Sequence, residues 1–228
     1  FIANDSVTFF YNEVLSKFIS KAWLPSNIVN MCSKVYGHSI ALAKMQVNQN
    51  PRIKDYDFAK LYNLVIVPNL ILINQNLDDK VVNLDFHNSI IANIGAIKPD
   101  DRNKISKAKV FIRGKEQPVA PASGHKIVSK TVEELVELSL VDYDELDLLD
   151  QDYHANEHTD YWREALGNDS FTIKSFLDWL SHNKESIAAK FQDKTLNIKF
   201  WRWAKKNIKD NISCLSELPI LVKGKDRS

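Results

Sequence analysis

LVIVPNLILINQNLDDKVV, residues 64–82, is the stretch on which the fold class turns. It is rich in β-branched residues, with Val65, Ile66 and Val67 before Pro68 and Ile71 and Ile73 after it. Such side chains fit a pleated, half-buried surface, and proline removes a backbone donor, so the composition predicts strands broken at Pro68. The polar run NQNLDD within it predicts a turn.

Upstream, the spacing is helical. In SVTFFYNEVLSKFISKAW, residues 6–23, Phe10, Val14, Phe18 and Trp23 predict a helix with Ser6 as its cap. Pro25 ends that helix and Ser26 caps a second one, with Ile28, Met31, Cys32, Val35 and Ile40 as its apolar stripe. DYDFAKLYN, residues 55–63, reads as a short third helix.

Downstream, helices and strands mix. FHNSIIANIGAI, residues 86–97, predicts a helix ended by Gly95, and KVFIRGKEQPVAP, residues 109–121, a strand that turns at Gly114. HKIVS, residues 125–129, is a further strand, and TVEELVELSL, residues 131–140, carries the capping box Thr131 with Glu134. HTDYWREALG, residues 158–167, predicts a helix capped by Thr159 with Gly167 just past its end. TIKSFLDWLSHN, residues 172–183, places Ile173, Phe176, Leu177 and Leu180 on one helical face, and KTLNIKFWRWAKKNIKD, residues 194–210, forms another helix. The expected fold class is α+β: a helical N-terminal part followed by short strand-turn units packed with helices. Residues 1–63 form the mainly helical segment and residues 64–228 an α+β module, either separate from it or continuous with it.

The 228 residues are enough for one large domain or two small ones, and 44 % hydrophobic with 26 % charged residues is ordinary globular composition. A net charge of +1 excludes a chain that binds nucleic acid by its overall charge. Cys32 and Cys214 form no C-x-x-C motif, and no apolar run reaches the roughly 18 residues of a membrane span, so a cytoplasmic setting without membrane contact is expected. The start at Phe1 and the ending LVKGKDRS suggest a fragment of a larger protein.

VFIRGKE, residues 110–116, and ILVKGKD, residues 220–226, share three apolar residues, a basic residue, Gly-Lys and an acid. The shared pattern predicts a buried strand ending in a glycine turn, with a Lys-acid pair at the exposed tip. Taken in order, VFIRGKEQPVAP, KIVS, DYDELDLLDQDYH, DYWREALG, SFTIKSFLDWL and LSELPILVKGKD resemble the repeat regions of sacsin and related bacterial proteins, over roughly residues 105–228. Those proteins carry an Hsp90-type ATPase domain, usually upstream of such regions. The resemblance implies a scaffolding or partner-coupling part of a large multidomain protein. The ATPase itself would lie elsewhere, because an Hsp90-type site needs Gly-rich motifs that the 6 glycines here do not form. No G-x-x-x-x-G-K-[ST] phosphate loop is present either.

DYHANEHTDYWREALG, residues 152–167, contains His154, Glu157 and His158 in the H-x-x-E-H pattern of a zinc-peptidase helix. That chemistry needs both histidines on one helical face and a third ligand, for which Glu185 and Glu217 are the candidates. The preceding DELDLLDQDY lacks helical periodicity and Thr159 is a good cap, so His154 and His158 are expected before the helix rather than on it. His87, His125 and His182 are isolated and read as structural. From Thr131 to Trp162 the chain has eleven acids and no Lys or Arg. Asp142 and Asp144 fit the first two positions of a calcium loop, but Leu146 and Asp147 break the pattern, leaving a solvated acidic face or a docking face for a basic partner.

A basic face follows in KFWRWAKKNIKD. Trp201, Arg202, Trp203, Lys205, Lys206 and Lys209 form the candidate interaction surface, since aromatics beside cations can stack bases and neutralise phosphates. On a helix the same pattern places buried tryptophans opposite solvated lysines. The sequence assigns no catalytic residue, cofactor or metal. The leading expectation is a non-catalytic module whose partners are other modules of the parent chain and protein clients. The alternatives are a nucleic-acid-associated module of a bacterial defence-type protein and a metal hydrolase using His154, Glu157 and His158.

Overall fold

Residues 64–74 and 80–82 are helical, not stranded, with a turn between them. In the computed structural model, which describes residues 17–18, 21–27, 57–141, 146–209, 215–216 and 218, Asp57 caps helix α1 (Phe58–Leu61) by accepting the Lys60 N–H at 2.8 Å. The chain continues through a π-helical turn, Tyr62–Ile66, and a 3-10 turn, Val67–Asn69, into α2 (Leu70–Asn74). Pro68 lies at the start of the 3-10 turn, where its missing N–H costs little. The π turn lets the Val67 N–H reach back to the Tyr62 carbonyl, and the Asn69 side chain donates to the Val65 carbonyl at 2.7 Å.

The reason for the helix is the burial stripe. Leu61, Tyr62, Val65, Ile66, Leu70, Ile73 and Leu77 are buried, while Leu64 is 43 % and Ile71 81 % exposed. Steps of one, three and four residues are helical, and such a stripe outweighs the modest strand preference of β-branched side chains. The polar turn is present after Asn74, but it joins two helices. Asp79 caps α3 (Lys80–Ile91) through the Val82 N–H at 3.0 Å. This helix begins before Phe86 and ends before Gly95, which sits in a 3-10 turn, Ile94–Ala96.

After α4 (Pro99–Arg102), short extended segments lie side by side. Val110 pairs with Val119, Ile112 with Leu149, and Lys126 with Leu148. Strand β1 (Lys126–Val128) runs parallel to β2 (Asp169–Phe171), with Ile127 opposite Ser170. The 110–116 segment therefore contributes bridge residues rather than a full strand, although Gly114 does make the expected turn at φ +80°. Its Lys115 pairs with Asp147 at 2.7 Å, not with the adjacent Glu116.

This layer separates two apolar clusters. Ile127 and Leu149 face the first, with Trp23, Phe86 and Trp162, whereas Val128 and Leu148 face the second, with Phe176, Phe200 and Trp203. Adjacent residues point to opposite faces because the strand period is two. The first cluster holds residues on both sides of position 63, Leu61 and Tyr62 together with Val65 and Ile66.

The helices after the layer follow the sequence expectation with small shifts. Helix α5 (Lys130–Glu137) is entered from Ser129, two residues before the expected cap Thr131, because the Ser129 N–H is already drawn to the Phe171 carbonyl at 3.1 Å. His158 stands at the cap position of α6 (Thr159–Glu164), and Gly167, at φ +72°, donates its N–H to the Arg163 carbonyl at 3.1 Å. The left-handed conformation there favours glycine. Helix α7 (Ile173–His182) buries Phe176 and Leu180 as expected. A separate α8 (Lys184–Lys190) precedes α9 (Lys194–Asn207). The architecture is α+β, mostly helical with a two-stranded sheet. Ser6, Phe10, Val14, the Ile28–Ile40 stripe, Cys32, Cys214, Asp142, Asp144, Glu217 and the ILVKGKD segment lie outside the described residues.

Candidate functional site

The loop bearing His154 and Glu157 is held in place by a buried polar network on α3. Asn83 and His87, one turn apart, are both fully buried. The Asn83 amide donates to the Leu77 and Lys109 carbonyls at 3.1 and 3.0 Å, and its oxygen accepts the Tyr153 hydroxyl at 2.6 Å. The Tyr153 oxygen in turn accepts the Phe111 N–H at 2.8 Å. His87 Nε2 lies 3.0 Å from the Lys109 carbonyl and Nδ1 lies 2.7 Å from the Tyr161 hydroxyl. A carbonyl can only accept, so Nε2 carries the proton and Nδ1 accepts from Tyr161. Burial keeps the ring neutral, lowering its pKa to about 4 against the opposing pull of the Lys109 carbonyl. His87, expected to be structural, ties the segments at Lys109 and Tyr161 to α3.

Between this loop and α5 lies a cleft of about 370 Å³, lined by Arg113, Glu133, Asp150, Asp152, His154 and Glu157 among others. Arg113 is buried at the end of the 110–113 segment and reaches Glu133 Oε1 on α5 at 2.8 Å. Asp150 Oδ1 accepts the Asp152 N–H at 3.0 Å, capping the 3-10 turn Gln151–Tyr153, and its Oδ2 takes Lys80 Nζ at 2.9 Å. Lys80 also reaches Asp152 at 2.8 Å. Partial burial works to lower the Lys80 pKa, but its hydrogen bonds to Asp152 and Asp150 and their negative charges outweigh it and hold the ammonium above its usual range. The cleft thus pairs one buried guanidinium with a carboxylate rim. Such a set recognises charge; it offers no serine, threonine or cysteine nucleophile among its lining residues.

The structure brings His154 and Glu157 into the cleft but not His158, which starts α6. His154 is exposed in a left-handed conformation at φ +46°, and both histidines stand before the helix, as their sequence context implied. Among the described residues no group of three His, Cys, Asp or Glu is placed to hold a metal ion. His182 is exposed and bonds its own helix at the Asp178 carbonyl, 2.7 Å away. His125 is half-buried, which lowers its pKa.

The basic stretch forms α9. Asp193 caps it by accepting the Thr195 and Leu196 N–H groups at 2.7 and 3.2 Å. Asn197, Phe200, Trp203 and Ala204 make the buried face. Trp203 is 3 % exposed and donates its indole N–H to the Thr131 carbonyl at 2.9 Å. Trp201 is half-buried with its ring edge-on to Phe200. Arg202, Lys205, Lys206 and, just past the helix, Lys209 are exposed, with Lys206 3.9 Å from Glu134 on α5. The six residues therefore do not form one surface: the cations face out and Trp203 faces in. Arg113 and Lys80 carry no local signal in the sequence, because each lies far along the chain from its carboxylate partners. No helix among the described residues is long and apolar enough to cross a membrane. No protein-family model, curated protein or solved structure matches this chain.

Proposed function

We propose that this chain is a non-catalytic docking module of a large cytoplasmic multidomain protein of the sacsin and Hsp90-type-ATPase kind, coupling other modules or protein clients. The observation that carries this reading is α9. Trp203 serves the core, so the outer face of α9 and the residues just past it present exposed cations, Arg202, Lys205, Lys206 and Lys209, suited to a carboxylate-bearing protein surface. The acidic cleft rim offers the complementary sign on the same module. Exposed charges of this kind set partner choice and association rate more than affinity.

The nucleic-acid alternative keeps the cations but loses base stacking on Trp203, whose ring is buried. A metal hydrolase would need His154 and His158 on one face, whereas only His154 lines the cleft.

The test is titration calorimetry of the chain against the neighbouring segments of its full-length protein, beside fluorescence anisotropy with a labelled single-stranded 30-mer DNA. Arg202→Glu with Lys205→Glu and Lys206→Glu should abolish protein binding and leave the fold intact. Surface substitutions of this kind usually stay within about 0.5 kcal/mol. Trp203→Ala should instead destabilise the chain by about 3–5 kcal/mol, as a buried aromatic does. DNA binding that weakens steeply with salt, without protein binding, would replace the docking reading with the nucleic-acid one.

A further inference from the structure

Helix α5 divides two patches of opposite charge. On one flank Glu133 takes the Arg113 guanidinium of the cleft at 2.8 Å. On the other flank the Thr131 carbonyl accepts the Trp203 indole proton at 2.9 Å, and Glu134 lies 3.9 Å from Lys206. The cleft and α9 therefore border the same helix from opposite sides. Glu137, one turn after Glu133, is exposed and extends the acidic side along α5.

The patches are opposite in sign and match in form. On α9, Ile198, Arg202 and Lys205 follow one another in steps of four and three, so they share the face turned away from Phe200 and Trp203. Ile198 is 38 % exposed, a large apolar side chain within a cationic stripe. The cleft is the converse, with carboxylates around an apolar floor of Val128, Leu149 and Ala155. Lys80 alone answers both Asp150 and Asp152, Arg113 answers Glu133, and the exposed Glu157 adds a further carboxylate, so negative charge is in excess. Two complementary patches side by side on one surface match a second copy turned through half a circle, each patch meeting its opposite. A net charge of +1 sets little repulsion between copies.

We propose that a second copy of this chain docks across α5 in a two-fold dimer, the α9 stripe of each copy lying over the cleft of the other. Ile198 covers the apolar floor, and Arg202 and Lys205 meet the rim carboxylates. The assignment rests on the reading of α9 as a protein-docking face and names the protein that docks there.

Sedimentation velocity of the intact chain tests it. The wild type should dimerise with rising concentration. The dimer should weaken with salt, as the screening length falls from about 30 Å at about 0.01 M to about 3 Å at about 1 M. Arg202→Glu with Lys205→Glu forms one variant and Glu137→Lys with Glu157→Lys the other, all at exposed positions. Each alone should weaken the dimer about a hundredfold or more, because like charges then face each other. Mixed in equal amounts, the two variants should dimerise again, since every reversed patch meets its opposite. A wild type that stays monomeric, a mixture that stays monomeric, or species that grow past the dimer in a head-to-tail chain would each overturn the proposal. A monomer that still binds the neighbouring segments through α9 overturns the dimer and keeps the docking reading; a monomer that binds neither overturns both.

Discussion

Protonating His87 should unfold the first apolar cluster, and the cost can be worked from its position. The ring is fully buried and its pKa is lowered to about 4, against 6.5 for an exposed histidine. Above pH 6.5 the ring is neutral in both states and contributes no pH dependence. Between 6.5 and 4 the unfolded chain takes up a proton that the folded ring refuses, so stability falls as pH falls. Each pH unit in that window costs about 1.4 kcal/mol, and a drop from pH 7 to pH 5 costs about 2 kcal/mol through this ring alone. The assay is urea unfolding followed by tryptophan fluorescence, to which Trp162, 5.2 Å from His87, contributes. The comparison is with His87→Gln, whose amide can still donate to the Lys109 carbonyl. At pH 7 the variant should be less stable by about 1–3 kcal/mol, because the Tyr161 hydroxyl loses its acceptor. By pH 5 the gap should have closed by about 2 kcal/mol, since every other titrating group is common to both chains. Parallel loss of stability in the two proteins would refute the argument that this buried neutral ring drives the pH dependence.

Gly167→Ala should cost about 1–2 kcal/mol in thermal or urea unfolding, because φ is +72° there, while the added methyl would meet Ser123 Cβ at an ordinary 3.5 Å. Gly95→Ala, with open space around it and no left-handed backbone, should be neutral or stabilising by up to about 1 kcal/mol; equal losses at both sites would contradict the strain argument. The Asp147 carboxyl is held below its usual range chiefly by its hydrogen bond from Lys115, so its contribution to stability is lost as pH falls through the acidic range. In Lys115→Met, the carboxyl carbon resonance of Asp147 should titrate at a higher pH than in the wild type; an unchanged midpoint would mean that the pair does not form in solution.

Much of the helical content can be read from spacing. The caps are less legible: Thr131 and Thr159 fit the cap pattern, but α5 is entered from Ser129 and α6 from His158, while Asp57, Thr172 and Asp193 accept backbone N–H groups of their helices without standing out in the sequence. Gly114 and Gly167 mark turns with positive φ, where a missing Cβ is the local requirement. The failure at residues 64–82 is one of weighting. The helical spacing of Leu61, Val65, Ile66, Leu70 and Ile73 is present in the letters, but it competes there with β-branched content and Pro68, and only burial shows that the period dominates. The α9 cations were legible as a charged face, and Trp203 could be placed on either side until Thr131 was seen to receive its indole proton.

What the sequence determined by itself is therefore local: the glycine turns at Gly114 and Gly167, the helices α7 and α9, and the presence of strong charge of both signs. The tertiary structure alone decided which residues meet. Lys80 joins Asp150 and Asp152, Arg113 joins Glu133, His87 joins Tyr161, and β1 pairs with β2 across forty residues of intervening chain. Hydrogen bonds and ion pairs act over a few ångströms of space and are indifferent to separation along the chain. One sequence of side chains is compatible with many such pairings, and only the packing of both apolar clusters against the extended layer selects among them.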